Sequence, residues 1–367
     1  MALIAIAAIT EFLESIAPPS IQESYDNSGL LTGQHAWPCS GVLCCLDVTE
    51  AVVDDAIKNN CNLIVAHHPI IFSGLKKITG SNYVERTIIK AIKNDIAIYA
   101  IHTNLDNVID GVNGMMAAKL GLQNISILAP QKGLLKKLFF YVPAQNAPEV
   151  MNAIFETGGG SIGNYSECSF SVNGTGTFKP NEKATPFIGQ IGKREEADEL
   201  KIEILFPNYL EAKIINNLKQ NHPYEEVAYE VITIDNRHQY IGSGVIGELS
   251  EPISEKDFLT ILKSRFQLKM LKHTRFTGNP IKKVALCGGA GSFLTKDAIN
   301  LKSDIYISSD IKYHEFFEAD NKILLADIGH YESEQFTIEL LVTQLEQKFP
   351  NFAVLKTVVN TNPVHYF

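Results

Sequence analysis

Short apolar runs alternate with amphipathic stretches at both ends of this chain, and the alternation is regular enough to predict elements. Val42 to Leu46, Leu63 to Ala66 and Ile96 to Ile101 read as strands, separated by helices from Glu50 to about Lys58 and from Val84 to Lys93. The same grammar returns in Lys283 to Cys287, Ile305 to Ser308, Lys322 to Ala326 and Ala353 to Val358. Helices are predicted there around Leu294 to Leu301, Tyr313 to Ala319 and Glu334 to Gln347. Continuous apolar strands spaced by helices predict βαβ units on largely parallel sheets. At the start, Met1 to Ala17 carries Glu11 and Glu14 inside its apolar period and lacks a basic opening, so it predicts an amphipathic helix stopped by Pro18-Pro19 and not an export signal.

The middle of the chain has another rhythm. Leu134 to Val142 reads as a strand, Glu149 to Thr157 as a helix closed by Gly158-Gly159-Gly160, and Glu167 to Val172 as a strand. Lys201 to Phe206, a helix from Tyr209 to Asn221, and Val227 to Ile234 follow. This βαββαβ order is that of ferredoxin-like domains. The expected organisation is therefore an insertion of residues 131–237 into one α/β domain made of residues 1–130 and 238–367.

Composition narrows the function classes. A chain of 367 residues, 45% hydrophobic and 20% charged, can bury several cores, and a formal charge of -9 argues against a general polyanion-binding surface. Nucleic-acid processing is thus a weak option. Six cysteines without a C-x-x-C pair suggest reduced thiols and a cytoplasmic setting, and no run is long and apolar enough to predict a membrane span.

Three histidine segments follow apolar runs: Ala66-His67-His68-Pro69, Ile101-His102-Thr103-Asn104-Leu105-Asp106, and Gly329-His330-Tyr331-Glu332-Ser333-Glu334. Imidazoles and carboxylates in such numbers are the usual ligands of a hydrolytic metal site. Neighbouring residues in a regular strand face opposite ways, but Pro69 ends the ladder and lets His67 and His68 turn to one pocket. His330 and Glu334, four apart, share a helix face, whereas His102 and Asp106 are expected in a loop. Six ligand groups exceed the needs of one tetrahedral ion, so two bridged ions are the more economical expectation. Mixed nitrogen and oxygen donors without thiolate admit Zn, Fe, Mn, Ni or Mg. Cys287-Gly288-Gly289-Ala290-Gly291-Ser292 could cradle an anion or simply make a tight turn. Asp310, Lys312 and His314 are candidates for substrate binding.

The three segments, together with Tyr25-Asp26-Asn27-Ser28-Gly29-Leu30 and Ser308-Ser309-Asp310-Ile311-Lys312-Tyr313-His314, resemble the NGG-interacting-factor-three-like family, also labelled GTP cyclohydrolase I type 2 homologues. Tyr25 stands where that family more often has Trp, and Ser309 where it more often has Gly. The resemblance implies a dinuclear metal centre in a toroidal homohexamer. His67, His68, Asp106, His330 and Glu334 would be ligands, Asp106 or Glu334 bridging, with His102 beside them for proton transfer. It also implies a PII-like or CutA-like insertion, to which Asn221-His222-Pro223-Tyr224-Glu225-Glu226 is similar. The expected function is a metal-dependent hydrolase acting on a nucleotide or related phosphorylated heterocycle by metal-activated water. The alternative is a non-enzymatic metal-binding scaffold or regulatory protein that senses a ligand through its insertion.

Overall fold

A computed structural model describes residues 4–367. The described chain has fifteen strands. They are β1 (Gly29–Thr32), β2 (Val42–Cys45), β3 (Leu63–Ala66), β4 (Ala97–Ala100), β5 (Gln123–Pro130), β6 (Leu135–Pro143), β7 (Ser169–Phe178), β8 (Glu195–Pro207), β9 (Tyr229–Thr233), β10 (Gly242–Ile253), β11 (Lys272–His273), β12 (Ile281–Leu286), β13 (Ile305–Ser308), β14 (Leu324–Asp327) and β15 (Val354–Lys356). They fall into two compact units, one running up to Pro130 and resuming at Tyr240–Phe367, the other Gln131–Gln239. No helix among the described residues is long and apolar enough to cross a membrane.

The discontinuous unit holds two sheets, ordered β1-β4-β3-β2-β15 and β11-β14-β13-β12-β10-β5. In the first, β15, β2, β3 and β4 run parallel and only β1 is reversed. In the second, β12, β13 and β14 are parallel and the flanking strands antiparallel. Strands β2, β3, β4, β13 and β14 are buried at every position, which is why they read as unbroken apolar runs. The fold is thus the mixed α/β type expected.

The helices follow from their caps and periods. Thr49 and Asn82 accept the backbone N–H of Val52 and Glu85, opening the helices Glu50–Lys58 and Tyr83–Lys93. The predicted first helix spans Ile6–Ile16, burying Ile6, Ile9, Thr10 and Leu13 on one face, and the first three residues of its predicted range lie outside the described residues. Two expectations need correction. The stretch Tyr313 to Ala319 forms only a 3-10 turn, Glu315–Ala319, which ends where Asp320 takes a left-handed φ of 43°. The helix expected from Glu334 is two pieces, a short turn His330–Glu334 and a helix Thr337–Lys348.

The unit Gln131–Gln239 runs β6, helix Ala147–Glu156, β7, β8, helix Glu211–Asn221, β9, with sheet order β7-β8-β6-β9 and every pairing antiparallel. Alternate residues of β6, Leu138, Phe140 and Val142, point into a core with Val150, Ile154, Ile202, Ile204, Phe206, Ile214 and Leu218. His222 ends the second helix against this core. Its Nε2–H donates to the Tyr141 carbonyl at 2.9 Å while Nδ1 accepts the Tyr224 N–H at 3.1 Å, so only the neutral ring satisfies both partners. Burial pushes His222 and His238 below the ordinary histidine range. A lowered folded-state value means the folded protein binds fewer protons than the unfolded chain, so this stability is present above about pH 6.5 and is lost as pH falls. Thermal unfolding of the whole chain should therefore lose more midpoint between pH 7 and pH 5 in the parent than in His222→Gln. An equal loss in both would show that His222 is not titrating as described.

Candidate metal centre

All three histidine segments lie at the ends of parallel strands. After β3, His67 and His68 still donate their backbone N–H groups to Cys45 and Leu46 (3.2 and 2.9 Å), and Pro69 then ends the ladder. Their rings lie 4.9 Å apart, tilted by 46°, and turn to the same place as expected. After β4, His102 opens the turn Thr103–Asp106, where a loop was expected. The turn fixes Asp106, whose N–H reaches the His102 carbonyl at 3.1 Å. After β14, Gly329 redirects the chain into the turn His330–Glu334 at a φ of +90°, a conformation that L side chains rarely adopt.

Glu334 joins the segments. Its Oε2 lies 2.9 Å from His68 Nε2 and 3.1 Å from His330 Nε2, and its Oε1 lies 3.9 Å from His67 Nε2. Asp106 Oδ1 is 3.6 Å from His67 Nε2, and the Nε2 atoms of His68 and His330 are 3.3 Å apart. A tetrahedral ion with bonds of about 2.0 Å needs donors about 3.3 Å from one another, close to these separations. Donor atoms gather within 4.8 Å in three groups: His67, Asp106 and Glu334; His68, His330 and Glu334; and His67, His68 and His102. Glu334 belongs to the first two.

Each imidazole is held from behind through Nδ1. His67 uses the Ile101 carbonyl at 2.9 Å, His68 uses Asp47 at 2.8 Å, His102 uses Asp26 at 2.7 Å, and His330 uses Asp310 at 2.6 Å. This is how proteins set the tautomer and direction of metal-ligating histidine. For His67, which is fully buried, it leaves Nε2 without a hydrogen-bond partner, and Asp106 Oδ1 is likewise buried and partnerless. Two orphaned donor atoms facing one another fit a cation between them. Asp47 and Asp26 carry no spacing signal in the sequence. The one clue to Asp47 is its position just past an apolar strand.

Charge follows the geometry. Burial opposes a charge on Glu334, but hydrogen bonds from His330 and His68 hold it well below the usual carboxylate range. Asp106 goes the other way, raised by burial and by the neighbouring Glu334 charge. Burial also works against a charge on His68 and His330, yet His68, bonded to Asp47 and Glu334, rises to about 10, and His330, bonded to Glu334 and Asp310, rises to about 9. In the metal-free protein, protons on two imidazoles therefore supply the positive charge that Glu334 requires.

The cleft around these groups has a volume of about 1010 Å³. Of the three residues considered for substrate binding, Asp310 lines it; Lys312 and His314 are exposed and do not. Lys312 gives its N–H to Glu315, and the His314 ring packs on Tyr313 and Phe317. The glycine-rich turn after β12 has its amides engaged: Gly288 N–H donates to Asn113, Gly289 to Ser333 and Gly291 to Ser308. That favours the tight-turn reading over an anion cradle. A Cβ at Gly289, where φ is +64°, would fall on Glu334 Oε1, so the turn also makes room for the central carboxylate. The C-terminal segment, unremarked in the sequence, lines the cleft through Asn362, Pro363, Val364 and Tyr366, and Thr361 donates to Asp47 at 2.8 Å.

A family model described as Duf34/NIF3 (NGG1p interacting factor 3) matches residues 4–363. A protein of Halalkalibacterium halodurans named "GTP cyclohydrolase 1 type 2 homolog" is 38% identical over 360 residues, covering 97% of each chain. A protein of the same name from Bacillus subtilis is 36% identical over 362 residues, covering 97% of this chain and 96% of its own. The crystal structure of a Bacillus cereus protein related to NIF3 superposes with a TM-score of 0.88 at 36% identity, covering all of both chains.

Histidine titration by NMR checks the charge arrangement directly. In the metal-free protein Glu334→Gln should lower both His68, from about 10, and His330, from about 9, by at least a unit. Asp47→Asn should lower His68 alone and Asp310→Asn His330 alone.

Proposed function

The chain belongs to the Duf34/NIF3 (NGG1p interacting factor 3) family, and from that membership and its cleft we propose that it is a metal-dependent hydrolase with a dinuclear centre. The observation that carries this reading is the set of anchored imidazoles around Glu334, with His67 Nε2 and Asp106 Oδ1 buried and partnerless. His67, Asp106 and Glu334 would hold one divalent ion, and His68, His330 and Glu334 the other, with Glu334 in common. Zn, Fe, Mn, Ni and Mg all suit such donors. Bound ions would supply Lewis acidity and a water activated near neutral pH.

The chain's own groups do the rest. Asp26 accepts the Nδ1–H of His102 and so leaves the Nε2 lone pair available to take a proton from water or to return one to a leaving group. Buried between Thr103, Asn27 and His102, Asp26 is positioned to stabilise the imidazolium that results. Asp47 and Asp310 keep His68 and His330 in one orientation, and Thr361 fixes Asp47 in turn. The substrate class, a nucleotide or related phosphorylated heterocycle, is supported by the name that relatives carry. The unit Gln131–Gln239 is proposed to be a PII-like insertion, and the family's toroidal hexamer is proposed for the assembly. A cytoplasmic setting is supported by six free cysteines, five of them buried.

Metal analysis of protein purified without chelators, joined to a hydrolysis screen over nucleotides and phosphoesters, tests the reading. The expected result is about two ions per chain, with turnover lost on chelation and regained on adding the ion back. Glu334→Ala should lose both ions and His67→Ala one, while Asp47→Asn should weaken metal affinity about 10- to 100-fold. About two ions with no turnover on any substrate would overturn the hydrolase and leave the scaffold. A sedimentation velocity mass other than six chains would overturn the ring.

A further inference from the structure

We infer that residues 361–366 form a brace across the cleft that positions one of the two ion sites, the one made by His68, His330 and Glu334, while the other is held without it. This rests on the reading of the cleft as a dinuclear centre and assigns positioning residues to one half of it.

The segment is stiff although it has no regular secondary structure. Its root is pinned beside β2: the Thr357 N–H donates to the Cys44 carbonyl at 3.0 Å, and Asp55 accepts the Thr357 hydroxyl at 2.6 Å and the Val358 N–H at 3.1 Å. Farther on, Asn360 and Asn362 each accept the backbone N–H two residues ahead, at 2.9 and 3.0 Å. Such side-chain turns fix the chain locally, and Pro363 fixes its own φ.

Its contacts reach both sheets. On the first, the Thr361 hydroxyl donates at 2.8 Å to Oδ2 of Asp47, whose Oδ1 holds His68 from behind. On the second, the Asn362 amide and the Tyr366 hydroxyl donate to Glu332 Oε1 at 3.4 and 3.3 Å. Glu332 is buried and sits in the five-residue turn that carries His330 and Glu334. The segment thus ties the backing of one imidazole to the turn that bears the other two donors.

The second site is anchored differently. His67 is fully buried and held by the Ile101 carbonyl, and Asp106 is fixed by its own turn. Glu334 serves both sites, so the difference lies in the imidazoles. His68 and His330 are partly open to the cleft, and the direction of such a ring is set by what bonds it from behind. Asn362, Pro363, Val364 and Tyr366 line the same cleft as Tyr25 and Phe72, so a molecule bound there meets the brace as well as the ions.

Zinc titration of metal-free protein in competition with a chromophoric chelator tests this. In the His67→Ala background, which keeps only the braced site, Thr361→Val should weaken the remaining ion on the order of tenfold, and so should Tyr366→Phe combined with Asn362→Ala. In the His330→Ala background, which keeps only the other site, the same substitutions should change nothing. Thr361→Ser, which retains the hydroxyl, should match its parent in both, and equal melting temperatures of the metal-free variants would separate lost positioning from a lost fold. If the substitutions weaken zinc equally in the two backgrounds, or in neither, the inference is wrong. An otherwise unaltered chain that takes up only one zinc would overturn the dinuclear reading and this inference with it. One that takes up two and hydrolyses nothing would overturn the hydrolase alone.

Discussion

One buried carboxylate organises this protein's candidate site. Glu334 is almost inaccessible to solvent, and an ionised carboxylate out of water costs several kcal/mol unless it is fully compensated. Its compensation comes from two sheets at once: His68 beyond β3 and His330 beyond β14. The charge therefore joins segments 266 positions apart, as the His68–Glu334 contact measures directly. Without it, the ends of the two sheets would present imidazoles with nothing to face. With it, they share a demand for positive charge, met by protons in the metal-free protein and open to being met by cations.

A demand of that kind sets the next layer. Each imidazole has to present Nε2 and keep Nδ1 occupied, and the fold does this with Asp47, Asp26, Asp310 and one backbone carbonyl. The three carboxylates come from different places in the chain, and each adds negative charge behind its ring. The result is a cleft strongly biased toward cations near its floor and apolar at its aromatic wall. The first property follows from holding histidines rigidly.

The parts legible in the sequence are those with one dominant cause. Strands β2, β3, β4 and β13 are buried on both faces, so burial alone writes their apolar runs. The histidine segments stood out because they interrupt such runs, and their meeting could be expected from the strand ends. Strand β10 is not legible in the sequence: Gly242, Gly244, Gly247 and Pro252 break its pattern, and it is a strand because β5 and β12 pair with it on either side. Edge strands β1 and β5 carry no clear apolar run because they are only partly buried. Asp26 and Asp47 were invisible as partners for a related reason. Their contacts to His102 and His68 span 76 and 21 residues, and no local period encodes a hydrogen bond between loops.

The same logic explains why the site is split by a separate unit without being disturbed. What Glu334 needs is delivered by strand ends and by turns of four or five residues, not by the stretch between β5 and β10. Those two strands pair antiparallel with each other, Gly242 opposite Pro130, so the chain leaves and re-enters the sheet at neighbouring points. Closing the sheet there asks nothing of the intervening residues beyond bringing their two ends together. A unit with its own core can occupy that position while the constraint centred on Glu334 stays entirely within the residues on either side of it.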